Sequence, residues 1–167
     1  VKIPGSVIKR GLNWLRKYQN EELTKIENYR AKRWKKATKQ YADNIDAFVY
    51  MVLAENKEKI SVHQKMAKEL YHSRTQLAVY GKAMFALALH KQHGNDDRVK
   101  MLKRNIEQYL KVDKENQTAY LDLPNNHYWW NWYGSEYEAQ AYYLKLLVAV
   151  EAKGKTAPAL VKYLLNN

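Results

Sequence analysis

The chain has 167 residues, a net charge of +12 and 46% hydrophobic residues, which excludes a disordered tail and fits one domain with a real core. Cysteine is absent, so a disulfide framework, a thiolate metal site and a cysteine nucleophile are excluded. The strongly basic balance favours acidic partners such as nucleic acid or anionic lipid, although no apolar run reaches the roughly 20 residues of a membrane-spanning helix.

Apolar residues in the first half of the chain recur at helical spacing. This spacing predicts helices at about 6–19, 43–56 and 61–74, with the polar, basic stretch 20–40 only partly helical. Ser6 and Asp43 (or Asn44) are the predicted N-caps of the first two helices. The residues predicted to face inward from the second helix are Ile45, Phe48, Val49, Val52 and Leu53.

The second half of the chain shows the same spacing with one interruption. Helices are predicted at about 75–93, 96–110 and 135–153, and a last helix is capped by Thr156. Gly94 is the predicted stop of the first of these, and Ser135 with Glu138 forms a predicted capping box. Between the predicted helices at 96–110 and 135–153, alternating polarity predicts a small β-hairpin near residues 117–132, turning at Pro124–Asn126.

A repeating unit is visible along the chain. An apolar helix rich in small residues, a short turn and a more polar helix recur, with Ala47, Ala83 and Ala141 at comparable places. Such αα-hairpins cannot bury their faces alone, so they stack into solenoids or close into rings. The predicted fold class is therefore all-α, with one helical domain over residues 1–167.

Two segments are candidate binding surfaces. An aromatic cluster, predicted to be either a stacking platform for sugars or bases or a plug across helix ends, consists of Trp129, Trp130, Trp132 and Tyr133. A basic segment, predicted to be either a solvated face or a polyanion patch, contains Arg30, Lys32, Arg33, Lys35, Lys36 and Lys39. We favour a packing role for the aromatic cluster and a solvated helix face for the basic segment.

Residue patterns for catalysis or cofactor binding are missing. His90 and His93 have no carboxylate pattern to complete a metal site, and no phosphate loop or dinucleotide fingerprint occurs. Glu136 and Glu138 are explained by the first turn of a helix. We assign no catalytic residue, no metal ligand and no cofactor, and we expect a protein that is not an enzyme.

The C-terminal stretch YWWNWYGSEYEAQAYYLKLLVAV, followed by a glycine turn and APALVKYLL, resembles the thioester-domain region of the α2-macroglobulin and complement family. The residues that match its two helices are Glu138, Tyr142, Leu144 and Leu147, then Pro158, Val161, Tyr163 (in place of tryptophan) and Leu164. Upstream, Leu77, Tyr80 and Gly81 keep the frame of the bacterial version, while Ala78 and Val79 depart from it.

The resemblance covers roughly residues 42–167, with weaker support over 1–41, and it implies part of an α/α toroid of inner and outer helices. It implies a non-catalytic scaffold segment of a bacterial protease-trapping protein (an endopeptidase inhibitor). The implied location is the periplasm, the cell envelope or outside the cell. The implied partners are target proteases and other domains of a longer parent chain. The family's thioester needs a cysteine in a G-C-G-E-Q motif, which this chain lacks.

Two alternatives stay open. One is a fragment of a toroid enzyme, such as a polysaccharide lyase or a terpenoid-cyclase relative, with the aromatic cluster lining its cleft. The other is a basic helical module that binds nucleic acid through residues 30–39, which the missing nucleic-acid motifs disfavour.

Overall fold

The computed structural model describes residues 3–33, 35, 38–57, 61–94, 96–123 and 136–167. These residues are mostly helical, with seven helices and one two-stranded antiparallel sheet, which confirms the predicted helical class with a small hairpin. The elements are α1 (Gly5–Arg30), α2 (Asn44–Glu55), α3 (Ser61–His72), α4 (Val79–His93), α5 (Asp97–Glu107), β1 (Leu110–Asp113), β2 (Thr118–Leu121), α6 (Glu136–Val150) and α7 (Thr156–Asn166). They fall into two compact units, Val1–Leu77 and Ala78–Asn167.

The first unit is a three-helix assembly in which α1 packs against both α2 and α3. The apolar residues at its centre are fully buried, and the largest of them are Ile26, Tyr50, Leu53, Met66 and Leu70. Contacts from Gln19 to His63 and from Arg30 to Glu69 show that α3 runs alongside the second half of α1 in the same direction. The first half of α1 therefore extends past the start of α3.

The helix α1 is one continuous element of 26 residues, so the prediction of an early end near Gln19 was wrong. Residues 20–30 are mostly good helix formers, and they bury Leu23 and Ile26 in the core. The prediction that Ser6 caps this helix was also wrong. Pro4 occupies the N-cap position, with no side-chain hydrogen bond.

The start of α2 confirms one prediction and corrects another. Asp43 is the N-cap and forms a capping box with Asp46. However, Ile45 and Phe48 are exposed, although they were predicted to face inward. The helix is rotated so that Asp46 and Tyr50 are buried instead, and Tyr50 stacks on His63 with ring centroids 4.0 Å apart.

The second unit is organised around α4, which packs against α5 and α6. Nine consecutive residues of α4, from position 81 to position 89, are buried, and most are apolar or small. Gly94 ends the helix with φ of 69°, a left-handed conformation that glycine adopts without strain, as predicted. The last helix, α7, packs against both α6 and β2.

The described residues contain a hairpin that begins before the predicted one, whose turn at Pro124–Asn126 lies outside the described residues. The strands of the observed hairpin pair from Leu110 with Leu121 to Asp113 with Thr118, so the turn lies at 114–117. The Asp113 carboxylate accepts hydrogen bonds from the amides of Glu115 and Asn116, at 2.9 and 3.0 Å, and so makes the turn itself.

The last helix corrects two further expectations. Lys155, without a side-chain bond, precedes α7, so Thr156 is its first residue and not its cap. Leu160 is buried, whereas Val161 and Leu165, which the apolar spacing likewise predicts to face inward, are exposed. Across the described part of the chain, no helix is long and apolar enough to cross a membrane.

Candidate functional site

The aromatic cluster lies outside the described residues, which resume at Glu136. The roles predicted for Trp129, Trp130, Trp132 and Tyr133 therefore stay predictions. Directly after the cluster, α6 begins with Glu136 and Glu138 in its first turn, where carboxylates face the positive end of the helix dipole.

The basic segment is divided by the fold. Arg30 ends α1 and donates to the Glu69 carboxylate of α3, with Nη1 to Oε1 at 2.6 Å. Lys39 is largely withdrawn from solvent. Lys32, Arg33 and Lys35 are exposed, and Lys36 lies outside the described residues. Two of the predicted patch residues, Arg30 and Lys39, are thus bound to carboxylates of this chain, and Arg30 stays exposed together with the other three.

Lys39 is the centre of a cluster of charges that we call the Lys39 cluster, made of Lys39, Glu22, Asp43 and Asp46. The Lys39 Nζ lies 2.7 Å from Glu22 Oε2, 2.7 Å from Asp43 Oδ2 and 2.8 Å from Asp46 Oδ2. Its side chain is 12% exposed, and the Asp46 side chain is fully buried. One ammonium group therefore joins α1, the connector after it and the start of α2.

The capping box of α2 orients two of these carboxylates. Asp43 Oδ1 accepts from the amides of Ile45 and Asp46, and Asp46 Oδ2 accepts from the amide of Asp43 at 2.8 Å. Asp46 Oδ1 is buried without a hydrogen-bond partner among the described residues. The backbone at the helix start thus fixes the direction in which Asp46 meets Lys39.

The electrostatics of Asp46 and Lys39 follow from burial and from their unequal numbers of charges. Burial, and then the charge of Asp43, raise the pKa of Asp46 to about 6, although Lys39 opposes the shift. Burial lowers the pKa of Lys39, but Asp46 and the other two carboxylates raise it by more than burial lowers it. The ammonium therefore stays charged. Asp46 therefore takes up a proton more readily than a carboxylate in water.

Two side chains of α1, Glu22 and Tyr18, also have shifted pKa values. The pKa of Glu22 is lowered, because hydrogen bonds from Lys25 and Lys39 outweigh its burial. The pKa of Tyr18 is raised by burial and then by the negative charge of Asp46, with Lys39 acting in the opposite direction. Tyr18 therefore keeps its hydroxyl proton.

An open cleft of about 510 Å³ lies beside the Lys39 cluster. Polar and charged side chains from α1 and from the following connector line it: Tyr18, Glu22, Lys25, Thr38, Lys39, Gln40, Tyr41 and Asp43. Because three carboxylates already surround the ammonium of Lys39, this cation is compensated and links the helices, and the cluster itself carries an excess of negative charge beside the cleft.

A second buried polar group of the first unit lies between α1 and α3. Gln19 Oε1 and His63 Nδ1 are 3.1 Å apart, and both residues are almost fully buried. The His63 ring stacks on Tyr50, at an interplanar angle of 11°. Polar contacts therefore tie all three helices of the first unit together.

The second unit contains its own polar connections. The side-chain amide of Gln140 in α6 donates to the Leu121 carbonyl and accepts from the Leu121 amide, both at 2.8 Å. This pair of bonds satisfies both backbone polar groups of Leu121. Nearby, Glu107 accepts from the Tyr143 hydroxyl at 3.2 Å, and Lys103 joins Glu107 to Glu151.

No group of three or more histidine, aspartate or glutamate side chains within the described residues is arranged to hold a metal ion. His90 is half-buried with its Nδ1 atom enclosed, whereas His93 is exposed. The described side chains therefore offer ion pairs and hydrogen bonds, and we find no set of nucleophile, base and orienting group among them.

Sequence reasoning did not identify Glu22, Asp46 and Gln140 as interacting residues. The available signal for Gln140 and Lys82 was a polar residue inside an apolar helix, and both are buried. Asp46 had a signal as well, because it stands three residues after Asp43 in a capping-box pattern. Nothing in the spacing of Glu22 and Lys39, which are 17 residues apart, indicated their contact.

Comparison with protein-family models, with curated proteins and with solved structures finds no match for this chain.

Proposed function

We propose that this chain is a non-catalytic scaffold segment of a bacterial α2-macroglobulin-like, protease-trapping protein. Its αα-hairpins would form part of an α/α toroid, in which inner helices are covered by outer ones. The observation that carries the proposal is the burial of α4 over nine consecutive residues, including Gly81, Ala83, Ala86 and Ala88. Small side chains let neighbouring helices approach closely, as the inner layer of a helical ring requires.

The C-terminal helices support the same proposal. Leu147 of α6 is buried, and Tyr163, which stands at the family's tryptophan, stacks on Tyr120 with ring centroids 4.8 Å apart. These contacts give Leu147 and Tyr163 a packing role. The proposed location is the periplasm, the cell envelope or outside the cell, and the proposed partners are target proteases and other domains of the parent chain.

The alternatives receive less support from the described residues. Arg30 and Lys39 of the polyanion patch are paired with carboxylates of this chain, and of these two only Arg30 is exposed, together with three further described cations. A toroid enzyme would need an acid–base pair in a cleft, and the carboxylates beside the cleft of the first unit are bound to Lys39. We therefore propose neither.

The test is protease trapping by the full polypeptide that contains this chain. The polypeptide is incubated with endopeptidases of several mechanistic classes. The cleavage of casein and of a small chromogenic peptide is then followed in parallel. Trapping predicts that casein cleavage falls while peptide cleavage persists, because a trapped protease remains accessible to small substrates only.

Two outcomes would contradict the proposal. One is an unchanged rate of casein cleavage with every protease. The other is a saturable shift of tryptophan fluorescence on titration with oligosaccharides that is lost in Trp130→Ala, which would favour a carbohydrate-active protein. Intact protein carrying Trp14→Phe is the matched control for the fluorescence signal, because Trp14 lies on α1.

A further inference from the structure

The first half of α1 exposes large apolar side chains beside positive charges. Val7 is 46% and Trp14 is 63% exposed, and Ile3, just before the helix, is 59% exposed. At spacings of three, four and three residues, one exposed row along the helix contains Val7, Arg10, Trp14 and Lys17. We call these four residues the Trp14 row.

The Trp14 row points away from the core of the first unit. The buried residues of α1 are Gln19, Glu22, Leu23 and Ile26, and α1 packs against α2 and α3. At about 100° per residue, the Trp14 row lies about 150° around the helix axis from the middle of these buried residues. A broad, nearly flat partner can therefore approach the row without meeting α2 or α3.

The charges on this part of α1 favour an acidic partner. Residues 1–20 contain five lysines and arginines and no aspartate or glutamate. The first turn of α1 has no acidic residue and Pro4 offers no side-chain cap, so the positive end of the helix dipole adds to this charge. The Lys17 Nζ lies 3.8 Å from Glu21 Oε1, but both side chains are more than half exposed and such pairs are weak.

The chemistry of the Trp14 row fits a lipid surface better than a nucleic acid or an acidic helix. The Trp14 ring stacks on Tyr18 with centroids 5.7 Å apart, and tryptophan and tyrosine prefer the boundary between lipid headgroups and acyl chains. Lysine and arginine at this boundary reach the phosphates. A nucleic acid would leave Ile3 and Val7 in water. A partner helix would find no groove between α1 and α2 or α3, which pack on the opposite side.

We infer that the first half of α1 lies on an anionic lipid surface through the Trp14 row. The Val7 side chain and the Trp14 ring would enter the boundary between headgroups and acyl chains, while Arg10 and Lys17 would contact lipid phosphates. Because these side chains bury little apolar area, the contact is reversible and needs the electrostatic attraction as well. This inference does not rest on the proposed protease-trapping function.

The first test is cosedimentation of the full chain with vesicles of phosphatidylcholine, alone or mixed with phosphatidylglycerol. We expect binding to the anionic mixture at low salt, weaker binding at high salt and little binding to phosphatidylcholine alone. Trp14→Ala should weaken the binding about fivefold or more. Phe48→Ala, which also removes an exposed ring, is the matched control and should change the affinity less than about twofold.

Two neighbouring cations form a matched pair for the electrostatic contribution. Arg10 belongs to the Trp14 row, whereas Lys9 lies about 120° around the helix from it, and both are exposed. At about 0.1 M salt, Arg10→Glu should weaken the binding about five- to twentyfold, and Lys9→Glu less than about threefold, because its charge lies further from the lipid. Circular dichroism of both variants should remain that of the parent chain.

The depth of the row can be measured because the chain contains no cysteine. A nitrobenzoxadiazole label is attached to Val7→Cys and, as a control, to Lys9→Cys. On binding to the anionic vesicles, the emission of the label at position 7 should shift to shorter wavelength, because the dye leaves water. The label at position 9 should shift little.

Four results would overturn the inference. The first is no binding to the anionic vesicles. The second is an equal loss of affinity in Arg10→Glu and Lys9→Glu, or an equal shift of both labels, which would mean attraction by the net charge of +12 without a defined face. The third is binding of a DNA duplex, weakened by Trp14→Ala, in the absence of vesicle binding. The fourth is dimerisation in sedimentation velocity that Trp14→Ala abolishes, which would make a second copy the occupant.

Discussion

The two units of this protein bury different chemistry. In the first, Gln19, Asp46 and His63 are each about 1% exposed, and Lys39 joins carboxylates of α1 and α2 at their contact. In the second, the central element is α4, whose buried run contains one charged residue, Lys82. The first unit also carries 17 lysines and arginines against 8 acids, whereas the second carries 12 against 9.

This difference shows that one chain can close two helical cores by unlike means. The first unit depends on the charge state of its buried groups and on their mutual pairing. The second depends mainly on volume, because packed apolar side chains contribute through burial and dispersion. Four measurements test this difference between the two units.

The largest effect is expected in α4. Phe85→Ala removes a fully buried ring and should lower the free energy of unfolding by about 3–5 kcal/mol. The chain offers a matched control in Phe48, its only other phenylalanine, which is 43% exposed. Urea denaturation should show a far smaller loss of unfolding free energy for Phe48→Ala. Equal losses would contradict the dependence of the second unit's core on side-chain volume.

The next effect concerns the Lys39 cluster. Lys39→Met leaves three carboxylates without their shared cation, two of them buried, and should cost about 3–5 kcal/mol at neutral pH. Lys35→Met changes the same charge at an exposed position and should have little effect. In amide hydrogen exchange, the loss of protection should be greater in α2 than in α4, and a uniform loss would contradict the assignment of this effect to the first unit.

A smaller effect is expected where the second unit does use a polar contact. Gln140→Leu leaves the amide and carbonyl of Leu121 unpaired in a buried position and should destabilise the protein by about 2–3 kcal/mol. Gln140→Glu keeps the shape and loses the donor, so it tests whether the carbonyl bond matters. Thermal denaturation that is unchanged in both variants would show that water replaces these bonds.

The smallest effect is a dependence on pH. Asp46 has a pKa raised to about 6 from its model-compound value of 3.8, so between these values the folded protein binds more protons than the unfolded chain. Its contribution to stability is therefore fully present at low pH and is lost as the pH rises through about 6. The wild-type protein should lose on the order of 1–2 kcal/mol over this interval relative to Asp46→Asn.

The measurement is the difference in free energy of unfolding between wild type and Asp46→Asn at a series of pH values. Asp97→Asn, at a side chain that is 97% exposed, is the control for a surface carboxylate. If the wild type instead gains stability relative to Asp46→Asn as the pH rises, the charge of Lys39 outweighs the effect of burial and keeps Asp46 ionised.

Local signals in the sequence correctly predicted those helix ends that depend on interactions within a few residues. Asp43 caps α2 and Gly94 ends α4, because a carboxylate on the first amides and a left-handed glycine act within a few residues. The turn at 114–117 was missed because Pro124–Asn126 is the stronger turn signal in the sequence. The Asp113 carboxylate makes the observed turn by accepting hydrogen bonds from two amides.

Longer-range features were less accessible. The rotation of α2, which exposes Phe48 and buries Asp46, depends on contacts with Lys39 and His63 from other elements. The full length of α1 was missed because its second half reads as polar, while its few apolar residues are the ones that meet α2 and α3.

By itself, the sequence determined that the chain is helical, where most helices lie, and that cysteine chemistry is excluded, since periodicity and composition act residue by residue. Only the tertiary structure decided that Glu22, Lys39 and Asp46 meet, and that α2 buries Asp46 and exposes Phe48. Both results require elements that are distant in sequence to pack in one particular register, and local periodicity does not specify that register.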